Sequence, residues 1–372
     1  MTRALAFLAL AVGVLLAPAC SRSNAAPSEG SPRMLVGAGA TLPYPLYSKW
    51  AAEYARVEPT VRVNYQSIGS GAGVRQVSDG VVDFGATDEP MSDDQLRQAT
   101  TKLVHVPTTI GAVVFAFNLL KERDLSLTAE VAGDIFLGAV RRWDDERIRA
   151  LNPGRDLPGE PIIVVHRADG SGTSAALTSY LAKHNATWRS AVGSASSPRF
   201  PVGVGAKGNE GVTAFIKATP LSIGYVELVY ARQSGLAMAQ VRNQAGKMIA
   251  PTASSLERAA KSAVAAAGDD ARVVLLDSDD EGAYPIAALS FVVVPRDSAD
   301  RGKGEALAKF LWWAVHEGQS FAPALDYAQL PPPLVARAER ALGELRGEGR
   351  ALLLAPGPPP PGPPLPRLTP GG

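Results

Sequence analysis

Short apolar runs that give way to glycine-rich, helix-opening turns recur along this chain, and that alternation confines it to an α/β architecture. Residues 61–65, 81–84, 113–117, 162–165 and 291–294 read as buried strands, because β-branched and aromatic residues fill runs too short for helices. Ser92-Asp93-Asp94 is expected to cap one helix. A second covers 173–183, and a third, 304–317, turns Phe310, Leu311 and Val315 inward. Strands and helices in alternation predict a largely parallel sheet, and the sequence has no internal repeat that would indicate a repeat array.

The chain has 372 residues, 46% of them apolar and 20% charged, enough for a sizeable core and more naturally two domains than one. Its 37 Lys and Arg nearly cancel its 36 Asp and Glu. No global field therefore draws it to nucleic acid or an acidic membrane, and any anion specificity must be local.

The ends read differently from the middle. Arg3 followed by the apolar run 4–17 reads as an export signal, too short to span a bilayer and closed by Pro18. Cys20 is the only cysteine, which excludes an internal disulfide and a cysteine metal cluster. Its place directly after Leu15-Leu16-Ala17-Pro18-Ala19 resembles a bacterial lipoprotein processing box, with Cys20 as the lipidated residue. Ala17-Pro18-Ala19 equally fits ordinary secretory cleavage. Residues 1–19 are thus the expected signal peptide and 20–33 a tether. Residues 351–372, rich in Pro and Gly, are an expected extended tail.

The strongest chemical signal is residues 162–174, a strand that runs into His166-Arg167-Ala168-Asp169-Gly170-Ser171-Gly172-Thr173-Ser174. The first N–H groups of a helix lack internal partners and carry partial positive charge, so a tetrahedral oxyanion can sit there. Gly170 and Gly172 allow close backbone approach, Ser171 and Thr173 add hydroxyls, and Arg167 offers paired N–H donors. By itself the segment is equally compatible with an ordinary capped helix and a surface Arg167. No Lys precedes the Ser or Thr as the phosphate loop of nucleotide hydrolases requires.

Three further turns share this form. In 37–42, Thr41 is the expected cap of the next helix, and Leu42 stands where a dinucleotide fingerprint would need Gly. In 67–73, Ser70 lies at a helix start. In 82–90, Asp88 follows a strand end, where an isolated Asp is more often a turn former.

Taken together, 37–42, 68–73, 82–88, 102–114, 133–145, 167–174, 207–211 and 223–227 resemble the periplasmic phosphate-binding component of the phosphate-specific ABC importer, in order from about Val36 to about Arg340. The resemblance implies a periplasmic-binding-protein type II-like fold, with two α/β domains, a ligand cleft and a hinge. Domain I is then 34–107 plus 285–350, and domain II is 108–284. It also implies Thr41, Leu42, Ser70, Asp88, Arg167, Ser171, Gly172 and Thr173 as ligands of inorganic phosphate, with Leu42 contributing backbone in place of a usual Phe. No cofactor or metal is implied. The implied partners are the importer's membrane permease subunits, the implied place is the periplasm or extracytoplasmic face, and a monomer anchored through Cys20 is expected. On this reading Asp88 accepts a proton that phosphate carries and sulfate lacks.

A phosphatase or a serine hydrolase working from Ser70 or Ser171 is disfavoured. His105, His166, His184 and His316 are dispersed, and no Gly-x-Ser-x-Gly elbow occurs. The residues are also compatible with a binder of a different oxyanion, with a receptor that feeds a sensor kinase, and with a structural lipoprotein that uses the proline tail.

Overall fold

The computed structural model describes residues 32–266 and 272–353. The signal segment, Cys20 and nearly all of the tether and tail lie outside them. No helix among the described residues is long and apolar enough to cross a membrane.

The chain opens as β1 (Arg33–Gly39), α1 (Tyr44–Val57), β2 (Val61–Ser67), α2 (Ser70–Ser78), β3 (Phe84–Thr87), α3 (Asp93–Gln98) and β4 (Leu103–Phe117). It continues through β5 (Asp124–Leu127), α4 (Ala129–Phe136), α5 (Glu146–Leu151), β6 (Ile163–Arg167), α6 (Gly172–His184), α7 (Ala186–Ala191), β7 (Val204–Ala206), α8 (Gly208–Ala218), β8 (Ser222–Glu227) and α9 (Leu228–Gln233). Then come β9 (Ala237–Arg242), β10 (Met248–Ile249), α10 (Ala253–Ala266), β11 (Ala287–Pro295), β12 (Asp297–Ser298), α11 (Arg301–Val315), α12 (Pro332–Gly343), β13 (Arg346–Gly347) and β14 (Arg350–Ala351). β1 begins at the last residue expected of the tether and β14 ends at the first expected of the tail.

The main sheet runs β2-β1-β3-β11-β4-β8-β6-β7, with β9, β10 and β5 joined beyond the end of β4. The outer pairs are parallel, as expected, but β11 and β4 run antiparallel to each other and to their outer neighbours β3 and β8. The sheet is therefore mixed rather than largely parallel. The cause is β4: fifteen residues long and almost wholly buried, it pairs with β11 as far as Ala112 and with β8 from Val113 onward. One strand thus serves two half-sheets, and the strand ends of β1 and β3 face that of β6 across its middle.

Local chemistry explains the pieces. β2, on the sheet edge, alternates buried Val61 with exposed Arg62 and Asn64, whereas central β4 shows no alternation because both faces are covered. Pro107 has no N–H for the ladder and sits at a register shift, where Phe291 opposes Pro107 but Ser290 opposes Thr109. Ser92 caps α3, as the Ser-Asp-Asp signal predicts, and Gln95 answers it to complete a reciprocal capping box. Helix α1 buries Leu46, Tyr47, Trp50 and Tyr54 on one face, and one continuous apolar core extends from these past β4 to Trp143 and Trp188.

Helix α2 lies unusually close to β1. A Cβ on Gly73 would stand 2.4 Å from Gly39 Cα and 2.5 Å from Ala38 O, both backbone atoms that cannot swing aside. Alanine is the better helix former by about 1 kcal/mol. We nevertheless expect Gly73→Ala to cost about 1–3 kcal/mol, because the helix must move off the strand. Chemical denaturation measures this, and an unchanged midpoint would contradict the close packing.

Candidate anion-binding site

Four chain turns meet at the middle of β4. Thr41 follows β1 and is buried, but its hydroxyl does not cap α1, whose N-cap is Pro43 with no side-chain bond. Instead Thr41 Oγ1 accepts from Asn209 Nδ2 at 2.8 Å and from the Asn209 backbone N–H at 3.3 Å. Leu42 is fully buried, with its side chain against Gly111 of β4 and its carbonyl accepting from the Tyr327 hydroxyl at 2.6 Å. Ser70 opens α2, and its Oγ accepts the backbone N–H of Gly172 at 3.1 Å, so the two half-sheets touch at the cradle itself. Beside this bond, the Gly71 N–H donates to Gly170 O at 3.0 Å.

Asp88 stands just beyond β3, buried, with Oδ1 accepting from Ser290 Oγ at 2.7 Å. Gly172 is pressed onto it: a Cβ at 172 would lie 2.5 Å from Asp88 Cβ. Only glycine lets the start of α6 approach the carboxylate this closely.

Across the cleft, the Arg167 side chain is 1% exposed, so it is no surface residue capping an ordinary helix. Its Nε and Nη2 bind Asp169 at 2.8 and 2.5 Å, and Nη1 donates to Thr173 Oγ1 at 3.3 Å. Asp169 Oδ1 also accepts the Gly208 N–H at 3.0 Å, tying Arg167 to the start of α8. Ser171 is the N-cap of α6, its Oγ accepting the Ser174 N–H at 3.2 Å. All eight residues expected at the site therefore lie in one contiguous network, with hydroxyl and amide donors from both half-sheets and a helix N-terminus.

The charges are finely balanced. Burial pushes the Asp88 carboxyl up to about 7, against the opposing pull of the Ser290 hydrogen bond, the Arg167 charge and Ser70. Burial also works to raise Asp169, but the hydrogen bonds and charge of Arg167, with the Gly208 N–H, overcome it and hold that carboxyl below its usual range. Behind the site Glu227 is fully buried, with Oε2 accepting the Val229 N–H at 2.7 Å and no partner for Oε1 among the described residues. Desolvation, reinforced by the Asp88 charge, raises it well above a normal carboxyl.

Sequence reasoning missed Asn209, Asp169 and Ser290. Asp169 had a readable signal, two residues after Arg167 in the same turn, and Asn209 lies in the helix-opening stretch 207–211. Ser290 had none, since its role comes from β11 lying between β3 and β4. The histidines are engaged elsewhere: His105 accepts the Met91 N–H at 3.1 Å, His166 stacks on Phe200, His184 pairs with Asp277, and His316 bonds Glu339 at 2.9 Å. Among the described residues no group of three or more His, Cys, Asp or Glu could hold a metal.

Two half-sheets sharing a long strand, with an anion cradle between their facing strand ends, define a periplasmic-binding-protein fold. Residues 26–317 match the PBP superfamily domain. The chain is 40% identical over 305 residues to the phosphate-binding protein PstS of Pasteurella multocida, covering 82% of this chain and 88% of the relative. Against PstS of Methanocaldococcus jannaschii it is 36% identical, covering 76% and 78%. Two solved structures share the fold. A putative phosphate ABC transporter substrate-binding protein from Clostridium perfringens with bound phosphate has TM-score 0.58, 16% identity and coverage of 80% and 100%. The periplasmic phosphate-binding protein PfluDING has TM-score 0.65, 19% identity and coverage of 84% and 99%. The chain belongs to the PstS phosphate-binding protein family.

The raised Asp88 carboxyl has a consequence for stability. Its folded value, near 7, lies above its unfolded value, near 4, so the folded state holds the proton more tightly. Asp88 therefore contributes fully below about pH 4, and up to about 4 kcal/mol is lost as pH rises through about 7. Melting of the ligand-free protein from pH 4 to 8 is expected to give a flatter profile for Asp88→Asn than for wild type. Parallel profiles would refute the shift.

Proposed function

We propose that this protein captures inorganic phosphate on the extracytoplasmic side of the membrane and delivers it to the permease subunits of an ABC importer, without catalysis. The observation that carries this reading is Asp88, a desolvated carboxyl bonded to Ser290 inside a cradle otherwise made of donors. A carboxylate opposes any anion unless a proton lies between them. Hydrogen phosphate brings that proton, so one O–H is shared with Asp88 while the remaining oxygens accept from Thr41, Ser70, Ser171, Thr173, Arg167 and the backbone N–H of Leu42, with Gly172 bringing the start of α6 onto the ligand while its own N–H is held by Ser70 Oγ. Sulfate at neutral pH brings none and would set a lone pair against Asp88.

The names of the relatives and the phosphate-bound structural neighbour support the same ligand. For delivery, domain I (34–107 with 285–350) and domain II (108–284) close on the ligand about a hinge. The change of partner of β4 between Ala112 and Val113 fits that division. We place the mature chain in the periplasm as a monomer, with its signal removed and Cys20 lipidated.

Titration calorimetry of phosphate with sulfate as competitor tests the ligand and the role of Asp88 together. Wild type is expected to discriminate strongly at pH 8. Discrimination should narrow at pH 5.5, where the ligand-free Asp88 is protonated and can donate to sulfate. Asp88→Asn, a permanent donor, should narrow it by roughly 10-fold or more at pH 8 and leave it nearly independent of pH, so that variant and wild type converge at pH 5.5. Unchanged discrimination in the variant would sink the proton-sharing role, and failure of wild type to bind phosphate would sink the function.

A further inference from the structure

A hydroxyl can donate once and accept twice, so a threonine lining an anion site is useful only when its hydrogen points at the ligand. Both site threonines accept hydrogen bonds, and one residue serves both. Asn209 Nδ2 donates to Thr41 Oγ1 at 2.8 Å and to Thr173 Oγ1 at 3.4 Å. A second N–H reaches each oxygen, the backbone of Asn209 at Thr41 (3.3 Å) and Arg167 Nη1 at Thr173 (3.3 Å). The orientation of the amide is set by its environment, because the Glu227 backbone N–H donates to Asn209 Oδ1 at 3.0 Å and so assigns the NH2 group to the threonine side.

We infer that Asn209 is a positioning residue that occupies the acceptor sites of the Thr41 and Thr173 hydroxyls and leaves both as obligate donors toward the bound oxyanion. This rests on the phosphate-binding function proposed for the cradle and adds a residue to it. Asn209 is fully buried, so water is not at hand to replace its N–H groups. The same arrangement is made with backbone donors at Ser70, from the Gly172 N–H, and at Ser171, from the Ser174 N–H. At the threonines it is made by a side chain, and it spans the cleft, since Thr41 follows β1 while Thr173 lies on α6. The two hydroxyls are therefore aligned together only when the half-sheets are in register.

The test is phosphate calorimetry on a mutant cycle. Asn209→Ala frees both hydroxyls to rotate and should weaken phosphate about 10-fold. Asn209→Asp keeps the shape and the acceptor for the Glu227 N–H, but its carboxylate would take the hydroxyl hydrogens, so it should be weaker still, by about 100-fold. In a Thr41→Val background there is no hydroxyl to orient at that position, and each Asn209 penalty should shrink by about 3-fold or more, which separates orientation from the charge of the aspartate. Melting of the ligand-free variants reports folding. Should the alanine variant not fold, the aspartate pair alone decides by the same criterion. Penalties equal in both backgrounds, or an aspartate variant that binds better than the alanine variant, overturn the inference. Wild type that binds phosphate and loses it on Arg167→Met, with no sensitivity to Asn209, overturns this inference alone. Wild type that does not bind overturns both the inference and the proposed function.

Discussion

The backbone ladder of β4 is the constraint on which the rest of the molecule depends. A strand that pairs with β11 along its first part and with β8 along its last part ties two half-sheets into one body. It leaves their loop-bearing ends opposed, where ligands of open α/β sheets gather. The single interruption in that ladder is equally consequential. Pro107 cannot donate, the register slips by one residue, and after the slip Ser290 and Thr109 are opposite each other. Ser290 then reaches Asp88 from the strand between β3 and β4. Thr108, displaced by the slip, bonds the Ser290 carbonyl at 2.9 Å and the Tyr47 hydroxyl at 2.6 Å, so the irregularity is itself held in place.

The cradle does not work by accumulated positive charge. Arg167 is paired with Asp169, and Asp88 adds a further acid, so these charges sum to zero or below. What these residues offer an anion is oriented dipole: the N-terminus of α6, backbone N–H groups, and hydroxyls that already accept a hydrogen bond. Such groups are fixed by the fold and need little reorganisation when the ligand enters. They also favour an acceptor at every position but one. The near-neutral composition of the whole chain is consistent with this, because nothing in it requires a long-range field.

The desolvated carboxyls show what this arrangement costs. Asp88 and Glu227 are both raised by burial, and the Asp88 charge adds to the rise at Glu227. A core chosen for stability alone would replace them with apolar residues. Their presence at the meeting point of two half-sheets is what the proposed sharing of a proton between Asp88 and the ligand would account for.

Sequence alone determined the local pieces: the alternation of strands and helices, the turns bearing Thr41, Ser70, Asp88 and Arg167, and the helix cap at Ser92. Each is written in a few neighbouring residues whose periodicity, glycines and capping side chains act over one turn or one strand. It did not determine the antiparallel centre of the sheet, the true N-cap of α1 at Pro43, or the parts played by Ser290 and Asn209. These depend on strand order and on residues far apart in the chain; Asn209 lies 168 positions from Thr41 and Ser290 lies 202 from Asp88. Pairing at that distance is settled by global packing and register, and so are the burial of Arg167 and the proton affinity of Asp88, which follow from the exclusion of water once the half-sheets meet.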